Sequence, residues 1–163
     1  MAIDVYLQID GIKGESSDDE HQGWIECTSV SWLMSQPKSA TASTGAGHTA
    51  ERCELSDISL TKLVDLASPM LAQHCACGNV FRKANIEFLR ADGDGQRVKY
   101  YEIEMENVLI AHLAPSISPG DVLTEQVSLK FGKIKWRYTR QKISGGVGGN
   151  TSGGWCASSN RPI

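Results

Sequence analysis

KYYEIEMENVLIAHL, residues Lys99–Leu113, decides the fold. Tyr101, Ile103 and Met105 alternate with Glu102, Glu104 and Glu106. Side chains leave a strand on opposite faces in turn, so this period of two predicts a strand with one apolar and one wet face. Asn107 ends the alternation, and Val108-Leu109-Ile110-Ala111 is apolar throughout. The second half of the strand therefore reads as covered on both sides.

A second long stretch, Val122–Thr139, answers the first. Val127, Leu129 and Phe131 form one apolar row, which changes parity after Gly132 and continues as Ile134, Trp136 and Tyr138. A parity change at a glycine predicts a β-bulge, because an uncompensated slip of one residue would turn the apolar row outward. Two long strands that change surroundings midway suggest a sheet curling into a barrel. On the wet rows, Glu102, Glu104 and Glu106 are placed to face Lys130, Lys133 and Lys135. Such exposed pairs are worth about 0.2–1 kcal/mol each, enough to help set register.

The chain's 163 residues suffice for one domain with a substantial core. A net charge of −3 with no basic stripe argues against nucleic acid, which binds proteins that displace its counterions. No apolar run approaches the ~20 residues of a membrane helix. The opening MAIDVYLQID alternates and carries Asp4 and Asp10, unlike a cleavable signal peptide with its basic start and continuous apolar run. Five cysteines are an odd number, and reduced thiols in a cytosol are the expectation.

Ile3 to Ile9 alternates as a half-buried strand, followed by a turn at Gly11–Gly14 and an acidic loop, Glu15–Glu20. Trp24–Met34 predicts a strand with Val30, Trp32 and Met34 on one face and Ser29, Ser31 and Leu33 on the other. Gln36–Thr49 is rich in alanine and hydroxyl residues and reads as a long loop; loops of this length are uncommon unless functional or disordered. Glu51–Leu60 predicts a strand. A helix is expected within Leu60–Cys77, with Ser68 as N-cap, Pro69 in the first turn and Gly78 as the stop. Val80–Ala91 and Arg97–Leu113 form a hairpin across Asp92-Gly93-Asp94-Gly95. Ala114–Asp121 reads as a rigid loop, the glycine-rich Gly145–Gly154 as a flexible tether and Trp155–Asn160 as a short closing strand.

The sequence shows no carrier for catalysis. G-x-S-x-G and H-E-x-x-H are absent, and the glycines of 145–154 precede no helix that could cradle phosphate. The three glutamates have the spacing of a solvated strand face. His74-Cys75-Ala76-Cys77 and Cys53 lack the paired C-x₂-C spacing of structural zinc, so no metal or cofactor is expected. Asn150-Thr151-Ser152 fits the glycosylation pattern, but without an export signal it reads as chance.

The assembled motifs resemble the Hcp family, the haemolysin-coregulated proteins of bacterial type VI secretion. The resemblance runs nearly end to end over 1–163. It rests on the opening Met1-Ala2-Ile3-Asp4, Lys13-Gly14-Glu15-Ser16 before an acidic loop and His21, and Ser31-Trp32 with Met34-Ser35-Gln36. It continues in the Ser68-Pro69 helix, Leu123-Thr124-Glu125 and Gly154-Trp155. Cys75-Ala76-Cys77 and Trp155-Cys156 look peculiar to this member. The resemblance implies a mainly β fold, a two-sheet β-barrel with one flanking α-helix. It also implies a structural protein, not an enzyme: six copies form a ring, and rings stack head-to-tail into the expelled tube of a contractile injection machine. The implied partners are a spike protein at the tip, a contractile sheath and effector proteins held in the lumen. The implied route is from the bacterial cytoplasm to the outside without a cleavable signal peptide.

In that setting Ser29 and Ser31 are expected to line the lumen, with Val30 and Trp32 in the core. Within the loop, Pro37, Lys38, Ser39, Thr44, Gly45, Gly47 and His48 are the candidates for ring-to-ring contact. The rival readings are a monomeric β-barrel binding a small apolar ligand and a hydrolase using a cysteine with His48 or His74. The first needs an interior lined by small residues, whereas Trp32, Met105, Phe131 and Trp136 would fill a small barrel.

Overall fold

The computed structural model describes residues 3–37 and 52–163. Strands dominate: β1 (Ile3–Ile9), β2 (Ile25–Cys27), β3 (Ser29–Ser31), β4 (Met34–Ser35), β5 (Glu54–Leu55) and β6 (Ile58–Leu63) precede the helix α1 (Ser68–Cys77). After it come β7 (Val80–Ala91), β8 (Arg97–Ser116), β9 (Thr124–Lys130), β10 (Lys133–Gln141), β11 (Val147–Cys156) and β12 (Arg161–Pro162). The large sheet runs β12-β11-β10-β8-β7-β1-β2, with β9 paired to β8, β6 to β9 and β3 to β6. Strands β4 and β5 form a second, two-stranded sheet.

Among the described residues neither sheet closes into a barrel, which corrects that part of the expectation. The reason lies at Thr28. The expected single strand Trp24–Met34 is broken there: β2 pairs with β1, whereas β3 pairs with β6. The N–H of Thr28 already donates to Thr61 O at 2.8 Å, so the chain changes partner within one residue and the ladder is interrupted.

β8 is twenty residues long and meets β10 with its first half and β9 with its second. No extra residue sits at Gly132: Leu109 pairs with Lys130 and Glu106 with Lys133, a single register on both sides. The parity change is shared by three strands at one level. Buried residues pass from Ile103 and Met105 to Val108 and Ile110 in β8, and from Ala84 and Ile86 to Phe81 in β7. Across the β9–β10 junction they pass from Ile134 to Val127 and Leu129. At that level Asn107 takes φ 54°, and a Cβ on Gly132 would stand 3.2 Å from Asn107 Cβ. The faces therefore invert in register instead of by a bulge. Register shifts occur elsewhere in β8, between its pairs with Phe88 and Leu89 and between Ile110 and His112.

Both halves feed one core that also takes Leu7 and Ile9 of β1, Ile58 and Leu60 of β6 and Leu71 of α1. Trp32 packs beside it, its ring 6.0 Å from Tyr101 and 6.2 Å from Phe88. The interior is thus filled by large side chains.

Five further expectations change. The helix begins at Ser68 with Ala67 as N-cap, because the Ser68 hydroxyl is committed to a buried ionic cluster. Leu60–Leu63 is strand, and β8 runs on through Ala114–Ser116. The glycine-rich stretch is a paired strand, β11, and not a tether; the closing β12 is shorter and later than Trp155–Asn160. Two of its glycines answer close approach: a Cβ on Gly148 would meet Arg140 O at 2.9 Å, and one on Gly154 would meet Ile163 at 2.8 Å.

Candidate functional site: an uncharged hydroxyl face

Three short ladders place small polar residues side by side on the outer face of β3, β6, β9 and the second half of β8. One row reads Ser31, Ser59, Ser128, His112; the next reads Ser29, Thr61, Gln126, Ala114. Ser29, Ser31 and Ser59 are exposed, and the Ser59 and Ser128 hydroxyls lie 3.4 Å apart. Alternation supplies the opposite face, where Val30, Leu60, Val127 and Leu113 line up against the core. These two rows contain no carboxylate, lysine or arginine. Lys130, one step along β9, is exposed and supplies a cation at their edge.

Ser29 and Ser31 are exposed, with Val30 and Trp32 partly buried on the other side. Pro37 is half-buried; Lys38, Ser39, Thr44, Gly45, Gly47 and His48 lie outside the described residues. Sequence reading missed Ser59, Thr61, Gln126, Ser128 and His112. The signal was present in the parity of Ile58–Leu63 and Thr124–Lys130, where hydroxyl and amide residues alternate with buried Leu60, Val127 and Leu129.

Behind the two rows the sheet holds a buried ionic cluster. Lys62 is fully buried opposite Glu125. Its Nζ donates to Glu125 Oε1, to Asp65 Oδ1 at 2.8 Å and to Ser68 Oγ at 3.1 Å. The Ser68 hydroxyl donates to Glu125 Oε1 at 2.6 Å. Asp65 Oδ1 also accepts from the Ala67 N–H at 3.0 Å, so the cluster ties the start of α1 to β6 and β9. Beside it, burial pushes the Cys27 thiol up to about 12, which leaves it a neutral packing group.

The other half of β8 is the reverse. Glu106 faces Lys133 at 3.7 Å, and Glu102 meets Arg137 at 3.5 Å and Lys99 at 3.4 Å. Lys135 stands opposite Glu104 as expected, whereas Lys130 pairs with Leu109 and Arg137 takes the place expected for it. At the edge of this charged face His21 is buried between two carboxylates, Nδ1 at 2.8 Å from Asp18 Oδ2 and Nε2 at 2.6 Å from Glu87 Oε2. Its ring stacks on Tyr6 at 4.4 Å. The hydrogen bond from His21 holds the Asp18 carboxyl below its ordinary range.

Chemically the hydroxyl face can exchange hydrogen bonds with water or with a passing polypeptide. His112, the one imidazole of these rows, is paired with Ser128 and stands two strands from Ser59 and three from Ser31. Among the described residues no three His, Cys, Asp or Glu side chains are grouped to hold a metal ion, and no helix is long and apolar enough to cross a membrane.

The family model described as "Type VI secretion system effector, Hcp" matches residues 6–138. The chain belongs to the Hcp family. It is 35% identical over 157 residues to Protein hcp1 of Pseudomonas aeruginosa, covering 95% of each chain. Hcp1 from Salmonella typhimurium superposes with a TM-score of 0.81 at 29% identity, over the whole of both chains. A solved structure titled only as a type six secretion system protein gives 0.92 at 26% identity, over 99% of this chain and 100% of that one. Hcp proteins are secreted structural components of type VI secretion, and this member's mainly β fold with one helix agrees with them.

Proposed function

We propose that six copies of this chain close into a ring, that rings stack head-to-tail into the inner tube of a type VI machine, and that the hydroxyl face lines the hole. The carrying observation is that face: two rows of small polar side chains across four strands, free of fixed charge, with the sheet's ions held behind it. A wall of this kind wets readily and offers no fixed charge to arrest a passing protein. Effector proteins rest against it before release. The spike at the tip and the contractile sheath around the tube are the remaining partners, and export follows from firing the machine instead of from signal-peptide cleavage.

Head-to-tail stacking is a heterologous contact that does not close, which is how a ring becomes a filament. Pro37, Lys38, Ser39, Thr44, Gly45, Gly47 and His48 belong to the segment assigned to that contact. Sedimentation of the purified protein tests the ring: a sixfold mass is expected, and a monomer at every concentration would refute it. Ser31→Gln tests the wall. Its longer side chain reaches into the hole, so effector retention falls while the ring persists; unchanged retention would remove Ser31 from the lumen. Shortening the segment between residues 37 and 50 is expected to leave hexamers and abolish tubes, and tubes that persist would show that stacking lies elsewhere.

A further inference from the structure

β11 is bare along most of one edge. It pairs with β10 from Val147 to Cys156, whereas β12 covers only Trp155 and Cys156 on the other side. Among the described residues no backbone group pairs with residues 147–153 on that side. The covered end shows which groups are left over. The Ile163 N–H donates to Gly154 O at 3.3 Å, so Gly154 turns its backbone groups toward the β12 side. Alternate residues of an antiparallel strand turn the same way. The N–H and C=O of Ser152 and Asn150 therefore point out from the edge, while those of Thr151 and Gly153 face β10.

A strand edge left open to water is a template for another chain, and charges, prolines or a covering segment ordinarily blunt it. From Ile143 to Asn160 there is no proline and no Asp, Glu, Lys or Arg. Neighbouring edges differ. β12 closes the covered part with Arg161 and Pro162, and beside β2 the Ser16 N–H donates to Trp24 O at 3.0 Å. The glycines add an independent observation. Arg140 and Ile163 account for Gly148 and Gly154, but a Cβ on Gly149 or Gly153 would meet nothing within 4 Å, and neither takes a positive φ. Both are exposed. Nothing within one copy calls for glycine at these two positions, although glycine weakens a strand; such a glycine marks close approach by another backbone.

We infer that this edge is the contact between adjacent copies within a ring. An extended segment of the adjacent copy adds to β11 along residues 147–153, with its backbone against Asn150 and Ser152 and its bulk close over Gly149 and Gly153. Unpaired N–H and C=O groups alternating at strand spacing fit an extended polypeptide, and pairing of this kind takes its affinity from the main chain. A second copy is the occupant because an unblunted edge needs a constant cover, and in a ring the adjacent copy is present wherever the edge is. Ring contacts are heterologous, so the edge meets a segment other than itself and the contact passes around to closure. This inference rests on the ring reading above and names a surface for its closure.

Gly153→Val tests it without removing any contact of the isolated chain. The new side chain has room in one copy and suits a strand, so the folded monomer is expected to be at least as stable as wild type. The protein concentration at which hexamers half-dissociate is expected to rise at least about tenfold by sedimentation. Ser152→Pro removes an N–H that faces away from β10 and is expected to act in the same direction. Amide exchange on the unaltered protein is the second readout, and it decides even if the proline disturbs folding. In hexamers Asn150, Thr151, Ser152 and Gly153 are all expected to exchange slowly; in monomers obtained by dilution only Thr151 and Gly153 stay slow. Alternating fast and slow amides in the hexamer would overturn the inference, as would Gly153→Val hexamers that hold together as well as wild type. Protection of Asn150 and Ser152 that appears only in tubes would also overturn it, by moving the occupant to the next ring. A wild-type protein that never forms hexamers would instead refute the ring reading, and the inference with it.

Discussion

The two halves of β8 solve opposite problems with the same backbone. From Arg97 to Glu106 the strand's charges join a surface lattice with Lys99, Lys133 and Arg137, in which Glu102 alone is buried, beneath the exposed Lys99 and Arg137. From Val108 to Ser116 it joins a sheet whose hydroxyl rows carry no fixed charge and whose ionic cluster is sealed behind, around Lys62. An outward lattice fixes register at little cost and tolerates loss of a member. An inward cluster is costly to assemble and costly to break, because its desolvated charges have no water to return to. The lesson is that keeping charge off an exposed face can require burying it.

The largest effect should come from the inward cluster. Lys62→Met leaves Glu125 and Asp65 without their cation and is expected to lower stability by about 3–5 kcal/mol in denaturant titration. Lys62→Met with Glu125→Leu should recover much of that loss; a double variant as unstable as the single would show that packing, not charge, decides the site. His21→Phe comes next. It keeps a flat ring against Tyr6 but removes the ring nitrogens that Asp18 and Glu87 meet, for an expected loss of about 2–3 kcal/mol. The Asp18 carboxyl is held below its ordinary value of about 3.9, so its contribution is full above that pH and disappears as pH falls through the lower folded value. In acid titration the gap between wild type and His21→Phe should therefore begin to narrow only below about pH 4. The smallest effect belongs to the lattice: a double-mutant cycle on Glu106 and Lys133 is expected to give under about 1 kcal/mol and to vanish in high salt. A larger coupling there would erase the contrast between the halves.

How much of this was readable beforehand follows the same division. Outward charges alternate visibly with buried neighbours, so the Glu102–Glu106 row and its strand could be read from spacing, as could the face of Ser29 and Ser31. Lys62 could not: in sequence it looks like any strand lysine, and its partner Glu125 is 63 residues away. The claim of that cluster on Ser68 is also why the helix cap was misplaced. β11 was hidden for another reason. Alternation shows only through side chains, and Val147–Cys156 has four glycines, of which Gly148 and Gly154 let Arg140 and Ile163 approach. The parity change was seen in β8 and at Gly132, but its extent across β7 needed the pairing, since only neighbours reveal that three strands turn over together.

That shared turnover at Asn107 and Gly132 has a practical corollary for anyone modifying the molecule. Because orientation is reset at one transverse line, an alteration on one side need not be transmitted to the other. Labels, affinity handles or new specificities could be installed on the ionic segment while the smooth segment keeps its finish, much as a grip is changed without regrinding the blade.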